Sequence, residues 1–162
     1  MSVPLPTSWA FEDFAAGQVF ESQGRTITET DLVTFAGWSW DTNPVHTDAV
    51  ATSGPDGRFG GPIAHGLLGM SVAMGLASRL GVFEGCSVAL LGVDEWRFVA
   101  PIRPGDTVRL RLEILGARRT SGGTTGVLDR RFTLLGADDV VVQEGRIGLL
   151  VACREPGAAQ PS

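Results

Sequence analysis

The sequence predicts an α+β domain in which an antiparallel β-sheet wraps around one long central helix. Residues 63–80 are apolar or small on nearly every helical face, which is typical of a helix with protein on all sides. Residues 106–115 alternate strictly between apolar and polar side chains, as in a strand with one buried face. Other strand-like segments in the C-terminal half are joined by short, turn-rich connections, which favours antiparallel pairing.

The elements before the central helix follow from local signals. Residues 18–27 predict a first strand, and Thr28 offers an N-cap for the helix that follows it. Pro44 disfavours helix at the residue before it, so a turn must end that helix. A short helical segment over 47–53 then leads into a loop rich in glycine and proline at 54–62.

The C-terminal half completes the predicted sheet and sets the domain limits. The predicted strands there are residues 87–101, 106–115, 124–136 and 140–152. A chain of 162 residues with 43% hydrophobic content suits one compact core, so we predict a single domain over residues 8–153. Residues 1–7 and 154–162 are rich in proline or poor in apolar side chains, and we predict that both ends are flexible.

Composition excludes some classes of function. The formal net charge of -5 and the pI near 4.9 provide no basic face for nucleic acid. We read no signal peptide and no apolar stretch long enough to span a membrane, so we expect a cytoplasmic protein without a membrane partner. Cys86 and Cys153 fall in no paired motif, and we expect both to be reduced thiols.

An aspartate and a histidine flank an Asn-Pro pair in residues 39–48, SWDTNPVHTD. The Asn43 side chain can bond its own backbone and Pro44 fixes one φ angle, so the turn can hold Asp41 and His46 close together. A surface turn with two polar side chains would show the same pattern. The segment by itself therefore indicates either an ordinary turn or a catalytic unit.

Two stretches in this order resemble the signature of a known family. The first is FAGWSWDTNPVHTDAVA and the second, further along, is GGPIAHGLLGMSVAMGL. Together they resemble the MaoC-like dehydratases, a family that includes (R)-specific enoyl-CoA hydratases. The resemblance implies a hot dog fold and a homodimer. It also implies reversible addition of water to a trans-2-enoyl thioester of CoA or of an acyl carrier protein, without a cofactor.

The resemblance also assigns roles to residues. Asp41 and His46 match the catalytic pair of the family, Asn43 its supporting asparagine, and Gly66 the glycine whose backbone N–H lies near the thioester carbonyl. Trp40 stands where the family pattern has glycine. A bulky residue adopts a positive φ only with strain, and we expect Trp40 to affect the shape of the substrate pocket.

Further residues are predicted around this set. Supporting roles are predicted for Ser39 and His65, and substrate contacts for Trp40, Ile63, Ala64, Arg97 and Arg103. Arg97 and Arg103 flank a loop that the resemblance places near the mouth of the substrate tunnel. CoA would bring several phosphates to a chain of negative net charge, so Arg58, Arg118 and Arg119 are further candidates for phosphate contacts. Two histidines and two unpaired cysteines are too few for a structural zinc site, and we predict no metal.

The chemistry of hydration explains why these residue types would be needed. A carboxylate and an imidazole can both hydrogen-bond to one water. Together they can accept a proton as the water attacks C3, and they can donate a proton to C2. The sequence leaves open which of Asp41 and His46 is base and which is acid, because a coupled pair titrates jointly. Unpaired N–H groups at the start of the central helix, near Gly66, can stabilise the charge that develops on the thioester oxygen.

Three hypotheses follow from the sequence. The first is an (R)-specific enoyl-CoA hydratase, equivalently a 3-hydroxyacyl thioester dehydratase. The second keeps the fold but is a dehydratase for acyl-carrier-protein substrates, or a thioesterase in which Asp41 activates water against the carbonyl. The third is a non-catalytic partner of a second, active hot dog subunit. Such partners commonly lack the Asp/His pair that this chain has, so the sequence disfavours the third hypothesis, and the resemblance favours the first.

Overall fold

A computed structural model describes residues 9–55 and 57–154 and confirms the predicted α+β architecture. The helices are α1 (Glu29–Ser39), α2 (Pro44–Thr47), α3 (Ala49–Ser53) and α4 (Gly66–Ser78). The strands are β1 (Val19–Glu21), β2 (Arg25–Thr26), β3 (Ser87–Phe98), β4 (Thr107–Arg119), β5 (Thr125–Leu135) and β6 (Val141–Ala152). The predicted flexible ends lie outside the described residues apart from Arg154, which donates hydrogen bonds to Glu12 and Asp13.

The sheet is antiparallel throughout, with strand order β1-β4-β5-β6-β3 and with β2 paired to β4. The alternation predicted for residues 106–115 is confirmed, because Val108, Leu110, Leu112 and Ile114 are all at most 1% exposed. These side chains form the inner face of the sheet, and α4 packs against that face. The core therefore lies between α4 and the strands that follow it in sequence.

The central helix is shorter and less covered than predicted. It begins at Gly66, because Ile63 N donates to Val45 O (3.1 Å) and Ala64 N to Ile102 O (2.7 Å), which holds both residues outside the helix. One side of α4 is buried in the core. Leu67 on the other side is 59% exposed, so the prediction of protein on every side of the helix is wrong for a single chain.

The predicted first strand is broken into β1 and β2. Ser22 N donates to Leu110 O (2.9 Å), and Ser22 Oγ accepts from Leu110 N (2.9 Å). The serine hydroxyl therefore takes the place of a backbone carbonyl in the ladder, and the regular pairing stops there. The predicted strand at 87–101 ends at Phe98. The next two backbone donors, Val99 N and Ala100 N, both bond to Val142 O, so the regular ladder stops there.

Two smaller expectations can be compared with the described residues. Cys86 and Cys153 are both free thiols, as predicted, with Cys86 buried. None of the helices in the described ranges is long and apolar enough to cross a bilayer.

Candidate active site

Helix α1 delivers the chain to Asp41. The helix begins as predicted, with the Thr28 hydroxyl accepting a hydrogen bond from Asp31 N (3.3 Å). At its other end, Ser39 Oγ donates to Phe35 O (2.6 Å) and accepts from Asp41 N (3.2 Å). Ser39 therefore ties the backbone of Asp41 to the last turn of α1.

The Asn-Pro turn brings His46 back toward Asp41. Asn43 Oδ1 accepts from Val45 N (3.1 Å), and Pro44 occupies the first position of α2, which needs no N–H donor there. Asn43 N donates to Asp41 Oδ1 (3.3 Å). Asn43 thus bonds its own backbone as expected, and it also restrains the Asp41 carboxylate.

The hydrogen bond of His46 to the backbone decides its tautomer. His46 Nδ1 lies 2.7 Å from Ile63 O, and a carbonyl oxygen can only accept, so Nδ1 carries a proton. In the neutral ring, the lone pair is then on Nε2. Nε2 lies 4.0 Å from Asp41 Oδ2, which is too long for a direct hydrogen bond. One water that donates a hydrogen to each atom can fill this distance.

His65 contacts both members of the pair. It is buried, and its ring stacks on the His46 ring with centroids 3.8 Å apart. His65 Nε2 lies 2.9 Å from Asp41 O and donates to it, because that carbonyl can only accept. His65 Nδ1 has no partner within the described part of the chain. His65 therefore holds the main chain of Asp41 and the plane of the His46 ring.

The N-terminus of α4 contributes free backbone donors next to the pair. No side chain of the described residues caps this end, and the first N–H groups of the helix, including that of Gly66, have no intrahelical acceptor. A Cβ at Gly66 would lie 2.7 Å from the Phe98 ring, so only glycine fits beneath it. Gln143 Nε2 donates to Gly66 O (3.1 Å), and Trp96 Nε1 donates to Gln143 Oε1 (3.2 Å). These bonds fix the helix end against β6 and β3.

Most of these groups line one cavity of about 830 Å³, which we call the catalytic pocket, although Asn43 and Trp96 do not. Asp41, His46 and Gly66 are among its lining residues. Its apolar walls include Phe35 and Trp38. The pocket therefore combines two proton acceptors, helix N–H donors and an apolar space. This arrangement suits acid–base chemistry on an apolar substrate whose oxygen gains negative charge.

Comparison with known proteins identifies the family. The family model described as a MaoC like domain matches residues 13–131 of the chain. The chain belongs to the MaoC-like dehydratase family. The MaoC-like domain is 36% identical over 102 residues to Protein MaoC of Klebsiella aerogenes, a match that covers 63% of this chain and 29% of that protein. The chain therefore spans less than a third of that relative.

A second relative and a solved structure extend the comparison. Over 108 residues, the MaoC-like domain is 36% identical to a protein named (R)-specific enoyl-CoA hydratase from Rhodospirillum rubrum, covering 65% of this chain and 69% of that protein. A Mycobacterium tuberculosis protein described as having a double hot dog fold matches with a TM-score of 0.76 and 24% identity. That match covers 95% of this chain and 47% of the other. The MaoC-like domain therefore has the hot dog fold, as the sequence resemblance implied.

The structure brings most of the predicted site residues together. Asp41, His46, Ser39 and His65 lie around the turn, and Asn43 joins them through its backbone bonds. Of the predicted substrate contacts, Ile63 and Ala64 line the catalytic pocket of the MaoC-like domain. Arg58, proposed for phosphate contacts, lines it as well.

Other predicted contacts lie elsewhere. Arg97 borders a different cleft, because the residue after it, Phe98, faces the catalytic pocket and neighbouring strand residues face opposite sides. Arg103 Nε and Nη2 donate to Phe59 O (3.2 and 2.9 Å). Its guanidinium therefore restrains the loop at 54–62, and Arg103 does not itself line the pocket. Arg118 and Arg119 do not line the pocket either, and Arg119 pairs with Glu12.

Trp40 does not shape the catalytic pocket, so that prediction is corrected. Its side chain is 88% exposed and is not part of the lining, whereas Trp38 is. Trp40 ends α1 with φ 63° and ψ 10°, a left-handed conformation that reverses the chain and turns the ring outward. Glycine adopts such a positive φ without strain, whereas tryptophan does not. The strain lies in the backbone, at a position where the family pattern has glycine.

Replacing Trp40 with glycine is expected to stabilise the MaoC-like domain by about 1 kcal/mol. Left-handed backbone costs a residue with a Cβ roughly 1–2 kcal/mol, and the greater freedom of glycine in the unfolded chain offsets part of the gain. Urea unfolding followed by circular dichroism measures the change. Trp40→Ala is the matched control, because it removes the exposed ring but keeps the strain. An equal gain in Trp40→Ala would assign the effect to the ring.

Sequence reasoning missed Gln143 and Phe98. The inner face of β6 carries Gly145, Ile147, Leu149 and Val151 at alternate positions, and Gln143 continues the same series. A polar residue in an otherwise apolar series signals a buried hydrogen bond, since an unpaired amide in a core is costly. This signal was available in the sequence. Phe98 had none, because its approach to Gly66 depends on how β3 meets α4.

Asp41, His46 and His65 also form a set that could bind a metal. Each offers one ligand atom, and these atoms lie within 4.8 Å of one another. Three protein ligands are the number found in catalytic zinc sites. The expectation of no metal therefore stays a prediction. Elemental analysis of the purified protein checks it.

Proposed function

We propose that this MaoC-like domain catalyses the reversible hydration of trans-2-enoyl thioesters to (R)-3-hydroxyacyl thioesters. The observation that carries the proposal is the placement of His46 Nε2 4.0 Å from Asp41 Oδ2, in an apolar pocket that also contains the N-terminus of α4. The (R) configuration is taken from the name of the Rhodospirillum rubrum relative.

The first step is activation of a water between the two acceptors. The water donates one hydrogen to Asp41 and the other to His46 Nε2, so its oxygen lone pair is free to attack C3 of the substrate. Because Nδ1 is already protonated and bonded to Ile63 O, Nε2 is the nitrogen that can receive a proton. We therefore assign the base to His46. Asp41 orients the water and stabilises the imidazolium that forms.

The second step returns the proton to the substrate. Formation of the bond from oxygen to C3 pushes an electron pair through C2 onto the thioester oxygen. The resulting enolate takes the proton from His46 Nε2 at C2, which regenerates the neutral ring. The net change is the addition of one water, and no cofactor enters these steps.

The developing oxyanion is stabilised at the start of α4. Gly66 N–H has no intrahelical acceptor, and the positive end of the helix dipole favours negative charge there. The close contact of Phe98 with Gly66 excludes a side chain that would block the thioester. Gln143 keeps this end of the helix in place through Gly66 O.

Assays on the purified protein test this function directly. Crotonyl-CoA is expected to lose its enoyl absorbance, and the product is expected to be the (R) enantiomer on chiral analysis. A thiol reagent in parallel detects hydrolysis, which distinguishes a thioesterase. The same enoyl group on acyl carrier protein compares the two carriers. Turnover of neither enoyl thioester, or release of thiol in place of hydration, would overturn the proposal.

We propose further that the domain works as a homodimer that pairs through β3. This strand forms one end of the sheet, and nearly all of its residues are exposed on both faces. Val88, Leu90, Leu91 and Val93 are about half exposed. A long apolar edge strand readily pairs with another chain. Since Phe98 and the adjoining Val99 line the catalytic pocket, a second copy on β3 would also cover that pocket.

Substitution of Val93 by lysine is expected to convert the dimer into a monomer. A charge in the middle of an edge strand opposes pairing. Light scattering after gel filtration measures the mass of each variant. Val19→Lys is the matched control, because Val19 lies in β1 at the opposite edge of the sheet and its substitution should leave the dimer intact. A monomeric wild type, or a stable Val93→Lys dimer, would argue against this interface.

A further inference from the structure

A second cavity, of about 730 Å³, lies at the other end of α4 from the catalytic pocket. It is bordered by the last turn of α4, the loop after it and the start of β3, and we call it the Arg130 cavity. Met74, Phe83, Leu90 and Leu149 give it apolar walls. Within the described ranges no residue lines both cavities. The thirteen residues of α4, about 20 Å of helix, separate the two ends.

Arg130 lines this cavity from the inner face of the sheet. It belongs to the alternating inner residues of β5, between Leu128 and Phe132, and is only 2% exposed. Burial lowers the pKa of its guanidinium to about 10, so the group remains charged at neutral pH. In the described part of the chain, it forms no ion pair with any carboxylate.

The contacts of Arg130 leave Nη2 of the guanidinium without a hydrogen-bond partner among the described residues. Its Cζ lies 4.9 Å from the Phe83 ring centroid and 5.1 Å from that of Phe132, so aromatic rings pack against the group. Nε donates to Ile147 O (3.1 Å). Nη2 is buried and has no partner among the described residues. The guanidinium is a planar fork of N–H donors, a shape that matches an acceptor with two oxygens, and Nη2 still has donor capacity that the described residues do not use.

No described residue pairs a negative charge with Arg130. Cys86 is close, but burial raises the pKa of its thiol, so it stays neutral and donates to backbone carbonyls. Glu84 and Arg79 also line the cavity, but both are exposed to solvent and neither forms an ion pair among the described residues. A buried cation without a counter-ion is costly, so this site is incomplete in the chain alone.

We propose that the Arg130 cavity binds a carboxylate carried on a small apolar body, with the carboxylate paired to Arg130. The planar guanidinium with its unpartnered Nη2 selects the two-oxygen acceptor, and Met74, Phe83, Leu90 and Leu149 contact the apolar part. The Arg130 cavity is a site separate from the water-activating pair.

Two sources can supply this carboxylate. One is a free small carboxylic acid. The other is the far end of an acyl thioester bound in the catalytic pocket of a second copy. The second source rests on the proposed function and dimer. Residues from Ser87 to Leu90 of β3 line the Arg130 cavity, and Phe98 at its other end lines the catalytic pocket. Antiparallel pairing of two β3 strands about their middle would place these two cavities side by side.

Titration calorimetry of the full chain with sodium hexanoate tests the site without using hydration activity. Hexanoate is expected to bind and to raise the midpoint of thermal unfolding. Hexanamide has the same apolar body without the charge and is expected to do neither. Inorganic phosphate has the charge without the apolar body and is expected to bind at least about tenfold more weakly. Equal binding of hexanoate and hexanamide, or of hexanoate and phosphate, would overturn the proposal.

Variants of Arg130 locate the binding. Arg130→Met keeps the length and apolar stem, and its dissociation constant for hexanoate is expected to rise about tenfold or more. Arg130→Lys keeps the charge but loses the fork, and an intermediate rise is expected. If the methionine variant does not fold, the lysine variant and the hexanamide comparison still test whether hexanoate binds at Arg130. Unchanged hexanoate affinity in either folded variant refutes the site.

Hydration kinetics then distinguish the two sources. An unchanged KM for crotonyl-CoA at saturating hexanoate supports a free carboxylate. A raised KM that is no longer raised in Arg130→Met supports a carboxylate at the end of the acyl group. A raised KM that persists in Arg130→Met shows hexanoate in the catalytic pocket and counts against the Arg130 cavity. If the protein does not catalyse hydration, the calorimetric result for hexanoate remains valid. The proposed hydration and the proposed carboxylate site can therefore be refuted separately.

Discussion

Replacing His46 with alanine is expected to lower kcat for crotonyl-CoA hydration by about 10²- to 10⁴-fold, the usual contribution of a positioned acid–base group. His46 Nε2 is the atom that takes the proton from water and returns it to C2 in the proposed steps. Its Nδ1–H is held by Ile63 O, which leaves Nε2 as the nitrogen on the side of Asp41. Absorbance of the enoyl thioester measures the rate.

Asp41→Asn is expected to produce a loss of the same order. The amide keeps the size of the side chain but removes the charge that orients the water and stabilises the imidazolium. Asp48→Asn is the matched control. Asp48 caps α3 by accepting from Val50 N and Ala51 N (both 2.9 Å), and asparagine caps equally well, so activity should stay unchanged.

The contradicting outcomes are specific to this pair. Retained activity in both His46→Ala and Asp41→Asn, with folding verified by circular dichroism, would remove water activation from these residues. Loss of activity in Asp48→Asn as well would indicate that any disturbance of the turn region abolishes function. The pair of variants is informative only when the control remains active.

Gly66→Ala is expected to lower kcat by about 10²-fold, near the effect of losing one oxyanion donor. The new methyl group would stand 2.7 Å from the Phe98 ring and displace it, and it would also stand over the N–H that receives the thioester oxygen. Gly75→Ala in the same helix is the matched control. A Cβ there meets nothing within 4 Å, so activity should persist and stability should rise by about 0.5–1 kcal/mol.

A second substitution separates the two effects of the methyl group. Phe98→Ala in the Gly66→Ala background is expected to recover the stability lost to the clash, because the displaced ring is gone. Activity is expected to stay low, because the methyl group still covers the donor. Full activity in Gly66→Ala alone would exclude Gly66 N–H from the mechanism.

Much of the fold was predictable because its signals are local. Alternation over residues 106–115 predicted the buried face of β4, and Thr28 marked the start of α1. The errors occur where a contact between residues far apart in sequence interrupts a regular element. Ser22 Oγ accepts from Leu110 N and breaks the first strand, and this contact joins residues far apart in sequence.

The candidate site likewise contains residues that local sequence signals could predict and contacts that they could not. Asp41, Asn43 and His46 lie within one turn, so sequence alone could place them together. Gln143 and Arg130 show that alternation can also mark unusual positions, since each is a polar residue in an apolar inner series. Their partners were not predictable, because those depend on how α4 crosses the sheet. Arg97 and Trp40 were misplaced because sequence spacing does not give the direction of a side chain at a strand end or in a left-handed turn.

The sequence by itself determined the family, the order of elements, the buried faces and the pair of residues that the turn brings together. Periodicity and turn chemistry depend on neighbours along the chain, which is why these features could be predicted. The tertiary structure alone decided that His46 carries its proton on Nδ1, that Gly66 lies beneath Phe98, and that Arg130 has no counter-ion among the described residues. Each depends on which atoms the folded backbone places within hydrogen-bonding or van der Waals distance, and those atoms come from distant parts of the chain.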